Sequence, residues 1–534
     1  MYRRQLSIVS LVVSLILVAS SARAQFDGIL TDVHVHLTPN YVGGWDLGVY
    51  DFDNDEVYDP NTTIIYVSPL GRTTQPGGAQ WNFIGAGSGN TYWRTPQNPA
   101  TNLISLSFET EATTPGTFDW YLESDPRVPA IAQPWMKMKL VDLRGPGEFA
   151  LWQQSGSSLS NAWISSTSGG IDPTDFGFVT EGGHVHYYGG YTKQGYYELD
   201  FQASGHIGGS VNSSAVQTYH VVVAPPVLTA SLTNSSVVGF DDPALEKVLA
   251  DSGDGLFAPL AVTYDAKANV YATDVLRSRI MKYDLEGNGS VFANSADGLT
   301  TPSGLAMNSN GDLYVSNYLT NTVVRVDSAG VGTPFADGND GLSSPFGMAL
   351  DDSGNLYVAD FNHSRILKFD SSGNATTFAD SGDGLLAPIG VAIDALGQIY
   401  VADVLRSRVT KFTTAGIGTI FADSGDGLTT PSGLSFDLFG NLYVSNYLSN
   451  TIVKVTSAGV GSTFATAADG INSPFGVSAY NPLLASSPSA LLANFAAVPE
   501  PASGLLALSA AATLAAFRWR NRQLRLTRNS SYCK

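Results

Sequence analysis

Histidine chemistry is concentrated in one part of this chain. Six of the seven histidines precede residue 224, and four form two H-x-H pairs, His34 with His36 and His184 with His186. On a β-strand, residues i and i+2 point to one face, roughly 6–7 Å apart at a rise of about 3.3 Å per residue. Two such strands side by side would offer three or four imidazoles to one divalent ion such as zinc, which imidazole nitrogen suits. The alternative for each pair is a half-buried strand whose rings bond to backbone. Nothing in the sequence places the two strands next to each other.

A second group is acidic. Asp254, Asp297, Asp340, Asp383 and Asp426 each precede a glycine, in loops such as DSGDG, NSADG and DGNDG. Calcium takes six to eight oxygen ligands, so flexible carboxylate-bearing loops are calcium candidates. Against this, Asp-Gly is a favoured tight-turn pair, and one copy in every unit fits a device joining neighbouring units. Arg277, Arg279, Arg365, Arg406 and Arg408 are expected on the same face as these loops, which makes them candidates for contacting a ligand. Groups for general acid–base work are scarce here: between 245 and 497 there is one histidine, His363, and two glutamates, Glu246 and Glu286.

The elements that must position these residues follow from a repeat. Pro259, Pro302, Pro345, Pro388, Pro431 and Pro474 recur every 43 residues, and Tyr271, Tyr314, Tyr357, Tyr400 and Tyr443 keep the same step. From Pro345 one unit reads FGMAL, turn, LYVA, connector FNHS, RILKF, turn, ATTF, which is four short β-rich runs bounded by Gly, Asn, Asp and Ser. A period in the forties with four strands per unit is the signature of a β-propeller. Similarity is greatest at three periods: DVLRSR recurs at Asp274 and Asp403, and SPFG at Ser344 and Ser473. A duplicated triplet gives six blades. Leu245–Leu256 matches a fourth strand and exit loop, so the first and last pieces should share one blade and close the ring. Residues 25–223 alternate with period two between Gly and Pro turns and predict a β-sandwich. The Pro-Pro and Ser/Thr/Asn-rich stretch 224–244 reads as a linker, and the propeller is expected over 245–497. The expected fold class is all-β, a sandwich followed by a propeller.

With 534 residues, 43% hydrophobic and 14% charged, the chain has material for two or three domains. Its net charge of −19 argues against nucleic acid as a partner. One cysteine, Cys533, excludes an internal disulfide. Residues 1–24 read as a secretory signal peptide for Sec export: Arg3 and Arg4, an apolar core from Leu6 to Val18, and Ala22-Arg23-Ala24 before a cleavage point. At the other end an apolar run, Gly504 to Phe517, is followed by Arg518, Arg520, Arg522, Arg525 and Arg528. That run is short for a bilayer core of about 30 Å, and the arginines would hold the tail in the cytoplasm.

Three resemblances add to this reading. The P-x-G, D-x-x-G-N, LYVAD and N-x-R-I pattern resembles NHL-repeat propellers, which implies the fold and says little of function. Enzymes on related propellers, the virginiamycin B lyase-like and gluconolactonase-like proteins, place His, Glu or metal-binding carboxylates around the central channel. Residues 182–205, GGHVHYYGGYTKQGYYELDFQASG, with Gly43–Leu47, resemble the choice-of-anchor M domain, a bacterial surface module. Val498, Pro499, Glu500, Pro501, Ala502 and Ser503, with the apolar run and basic tail over 498–534, resemble the PEP-CTERM sorting signal; the tail after Arg522 is longer than that family's usual few residues. This implies processing by exosortase and a place on the outer surface or in the extracellular matrix of a Gram-negative bacterium, after transient anchoring by the C-terminal helix. The combined expectation is a non-catalytic binding, scaffold or adhesion protein, with surface glycans, exopolysaccharide or other envelope proteins as partners. The rival is an extracellular lyase or lactonase acting on polysaccharide.

Overall fold

The computed structural model describes residues 28–481, apart from 32–33, 99, 101–102, 168–169 and 241–245. The signal peptide, the sorting motif and the apolar C-terminal run lie outside the described residues. Among the described residues no helix is long and apolar enough to cross a membrane.

Alternation over residues 28–223 folds into two large sheets, of six and nine strands, with a small two-stranded ribbon beside them. Val35, Leu37, Leu106, Phe108 and Tyr187 of the larger sheet pack on Met136, Met138, Leu199, Phe201 and Tyr219 of the smaller. Phe108 meets Phe201 edge-on, with ring centroids 6.0 Å apart. The K-x-G-x-Y turn is fixed by its own tyrosine: the Tyr197 hydroxyl donates to the Lys193 carbonyl at 2.8 Å and accepts from the Lys193 N–H at 3.2 Å. The strand Thr63–Val67 is buried along its whole length because the smaller sheet is covered on both sides. Ile65 and Val67 face the sandwich core. Ile64, Tyr66 and Val222 face the propeller, where they meet Leu249, Tyr264 and Tyr480.

The propeller has six four-stranded blades. The blade from Pro345 has strands Pro345–Leu350, Leu356–Asp360, Arg365–Phe369 and Ala375–Ala379, as the repeat predicts. Its D-x-x-G-N turn is an Asx turn: Asp351 accepts from the backbone N–H groups of Ser353 and Asn355 and from the Asn355 side chain. Gly354 supplies the positive φ of 77° that the turn requires.

Ring closure is where the expectation and the structure part. The closing blade has Pro474–Ser478 innermost, then Val227–Ser231, Ser236–Phe240 and Glu246–Ala250. The outermost and innermost strands are the two end pieces the repeat predicts. The middle two fill the stretch read as a linker, so the propeller begins near Val227 and not at Leu245. The TNSS cluster inside that stretch is the turn of a hairpin, with Ser235 at φ 50°.

The glycine of P-x-G follows from crowding at the axis. A Cβ on Gly347 would lie 2.5 Å from the Ile389 carbonyl of the next blade, and one on Gly476 would lie 2.6 Å from that of Leu260. Gly347→Ala should therefore force neighbouring blades apart at a cost of about 1–3 kcal/mol, read as a thermal midpoint several degrees lower. An unchanged midpoint would remove this steric account.

Candidate functional site

The two H-x-H strands are not neighbours; one strand stands between them. His34–Tyr41 runs parallel to Ser105–Glu109, with His34 opposite Ser105 and His36 opposite Ser107. His184–Tyr191 pairs with the other edge of that strand, setting His184 opposite Glu109 and His186 opposite Ser107. Directly paired residues share a face, so four histidines, two serines and a glutamate occupy one patch. Val35, Leu37, Leu106 and Phe108 point inward to the core, which puts the patch on the outer side of the larger sheet.

The central strand makes the cluster possible. Ser105 and Ser107 are buried and small, so the histidine rings lean over them from both sides. His34 Nε2 and His36 Nε2 lie 3.0 Å apart. His186 stacks on His34 with ring centroids 4.7 Å apart, and His184 stacks on His36 at 5.8 Å. Phe52 roofs the first pair at 5.3 and 5.5 Å. Glu109 Oε2 contacts His36 Nδ1, and both side chains are buried. His36 is 1% exposed, whereas the His184 side chain is 46% exposed, so the cluster runs from a closed floor to an open edge.

Burial, reinforced by the neighbouring imidazoles, lowers the His36 pKa to about 3 and, with a small opposing pull from Asp53, that of His34 to about 4. Burial and His184 lower His186 as well. These imidazoles are therefore neutral at pH 7, the state in which they can act as ligands. Among the described residues no group of three or more His, Cys, Asp or Glu side chains is placed to hold a metal ion as it stands; the geometry is a close pair with two more rings nearby. Sequence reasoning missed Glu109, Ser105 and Ser107. The signal available was the S-x-S-x-E alternation within SLSFE, a polar face on a strand whose other face is apolar.

The Asp-Gly loops are turns with a local task. Asp254, Asp297, Asp340, Asp383 and Asp426 each accept from the backbone N–H three residues earlier, at 2.9–3.1 Å, completing a capping box on a short 3-10 turn. One such carboxylate stands at each blade junction, already engaged, so the calcium expectation finds no shared site among them.

The arginines divide in two. Arg365 donates to buried Asp360 at 2.7 Å and to the Gly341 carbonyl of the entering loop at 2.7 Å. Arg279 does the same with Asp274 and Gly255, and Arg408 with Asp403 and Gly384. These three are clasps within the blade and not free ligand contacts. Arg277 and Arg406 keep more exposure, and Arg277 lies over the Phe257 ring at 3.8 Å. His363 is an outer connector residue whose Nδ1 sits 2.9 Å from Asp360.

The channel wall mixes an apolar ring with polar groups, among them Asp265, Lys267, Asn308, Ser435 and Asn481. Val262, Leu305, Met348, Val391, Leu434 and Val477, one from each blade, line a cavity of about 360 Å3 at the sandwich side. At the other mouth Phe346 and Phe475, from opposite blades, meet with centroids 5.9 Å apart. Tyr318 and Tyr447 flank them at 5.5 and 5.7 Å. Around this plug Leu276, Leu319, Leu405 and Leu448 stand 65–74% exposed on equivalent connectors.

A chain in the crystal structure of a nidogen/laminin complex shares 19% identity, covering 48% of this chain and 98% of its own, with a TM-score of 0.42. Virginiamycin B lyase from Staphylococcus aureus shares 13%, covering 52% and 85% with a TM-score of 0.36. A streptogramin B lyase shares 13%, covering 48% and 86% at 0.38. Among curated proteins none matches the chain. The NHL repeat model matches residues 342–369 and 385–412. The chain thus carries NHL repeats within a six-bladed β-propeller.

Proposed function

We propose that this is an exported envelope or matrix protein that works by binding, with the propeller's plugged face turned to a partner protein. The observation that carries the reading is the ring of exposed leucines around an aromatic centre. Four leucines at equivalent positions remain in water with no intramolecular reason, and they surround an aromatic cluster that is itself only half-buried. Apolar patches rimmed by polar loops mark association surfaces, and a buried aromatic centre is what protein interfaces use as an anchor. Leucine side chains suit a protein surface better than a glycan, which aromatic and hydrogen-bonding groups would recognise. The signal peptide and the PEP-CTERM-like tail support export and exosortase sorting from sequence.

The test replaces Leu276, Leu319, Leu405 and Leu448 together by serine in the full chain, in an exosortase-bearing Gram-negative host. Export should be unchanged while retention in the envelope or matrix falls roughly tenfold, as expected for loss of an interface core. Unchanged retention would sink the reading. Loss of retention reproduced by stripping exopolysaccharide from the wild-type cells would move the partner from protein to glycan.

A further inference from the structure

We infer that the histidine cluster on the outer face of the sandwich binds one divalent transition ion of the zinc class. His34, His36 and His186 supply nitrogen ligands, and His184 stands at the solvent edge.

Four observations carry this, none of which depends on the propeller. The first is the close approach of His34 Nε2 and His36 Nε2, 3.0 Å apart. Two nitrogens bound to one tetrahedral zinc at about 2.0–2.1 Å lie about 3.3 Å from each other, so the pair is already near bite distance.

The second is the tautomer. Glu109 Oε2 faces His36 Nδ1, so the proton of that ring belongs on Nδ1 and Nε2 presents its lone pair, which accepts from His34 Nε2 in the metal-free cluster and would turn to the metal once His34 gives up that proton. A carboxylate behind a histidine is the arrangement that orients metal-ligating imidazoles. Glu109 is thus a positioning residue here.

The third is an unused donor. His186 Nδ1 is buried without a hydrogen-bond partner, while its ring already stacks on His34. Bringing that nitrogen to the pair requires a side-chain rotation, which gives up the ring's hydrogen bond to the Gln97 backbone. Buried polar atoms are otherwise almost always bonded.

The fourth is access. The cluster opens at His184, whose side chain is half exposed and lies 3.8 Å from Glu111. Hydrated cations therefore have an entry edge carrying a carboxylate. The donor set of imidazoles favours zinc, copper or nickel over calcium and magnesium, which prefer oxygen.

The experiment uses the full chain as purified. It is loaded with excess Zn2+ and dialysed, and metal per chain is counted by mass spectrometry. One zinc per chain is expected for the wild type, and none for the His36→Ala, His186→Ala double variant. Glu109→Gln should bind with affinity lowered about 10–100-fold. Because a substitution in a buried cluster can unfold the sheet, unmodified protein is also titrated with Co2+. Visible absorption bands of nitrogen-ligated cobalt that vanish on adding Zn2+ and persist in excess Ca2+ support the site. Absence of both retained zinc and the cobalt bands overturns it. So does stoichiometric zinc in a folded double variant.

Discussion

A chain ending at Ser473 loses its cooperative unfolding transition, whereas one ending at Asn481 keeps it. The shorter chain lacks the innermost strand of the closing blade, Pro474–Ser478, and with it three buried contacts. Val477 and Ala479 leave the core they share with Val238, Phe240 and Ile452. Tyr480 leaves its place between Tyr66 of the sandwich and Tyr264 of the first blade, where it is 4% exposed and donates to the Ala266 carbonyl at 2.7 Å. A buried valine contributes about 1.5–3 kcal/mol, and a buried tyrosine of about 150–250 Å2 contributes more. Ladder bonds to Val227–Ser231 and the bond from Thr229 Oγ1 to the Gly476 carbonyl go as well. The total is on the order of 10 kcal/mol, comparable with the entire stability of a domain, about 5–15 kcal/mol. Circular dichroism melts of the two truncations decide the matter. A sharp transition in the Ser473 form, within a few degrees of the longer one, would mean the ring does not need its closing strand.

The same blade shows what the sequence reveals and what it hides. Five blades were readable because each repeats its proline, tyrosine and Asx turn at one spacing, so a weak local signal is confirmed several times over. Val227–Phe240 offers no such confirmation. It lacks the tyrosine and the Asx turn, and its Pro-Pro start and TNSS turn look like a linker until Pro474–Ser478 is laid beside it, more than two hundred residues on. The histidines are a similar case. Their identity and i, i+2 spacing are local facts, but Ser105–Glu109 as the strand between them is a matter of non-local register. The polar face of SLSFE marks Glu109 as outward-facing, but its tie to the histidines shows only once His184 lies opposite it. The arginine face shows the converse: Arg365 reads as a ligand-face candidate from sequence, because its partners, Asp360 and the Gly341 carbonyl, belong to a strand end and a loop that converge only in the folded blade.

That clasp supports the second large effect. Asp360 is fully buried and accepts from Arg365 Nε, His363 Nδ1 and the Ser343 N–H. Asp360→Ala leaves a guanidinium and a backbone N–H facing a buried void, and removing one partner of a buried pair costs about 3–5 kcal/mol. For a domain of this size that is a fall in thermal midpoint on the order of 10 °C. Two other blades show how the position works without charge. There Asn317 and Asn446 replace the aspartate, and Thr322 and Thr451 replace the arginine. Asn317 accepts from the Thr300 N–H at 2.9 Å and donates to Thr322 Oγ1 and to the Gly298 carbonyl, so one neutral side chain makes the loop contacts that Asp360 and Arg365 divide between them. Asp360→Asn with Arg365→Thr should therefore recover most of what Asp360→Ala loses, because each buried polar atom again has a partner. Asp360→Asn alone should fall between, with Arg365 left beside a neutral amide. If the double substitution is no more stable than Asp360→Ala, the ion pair itself holds the connector, and the neutral blades must owe their stability to other contacts.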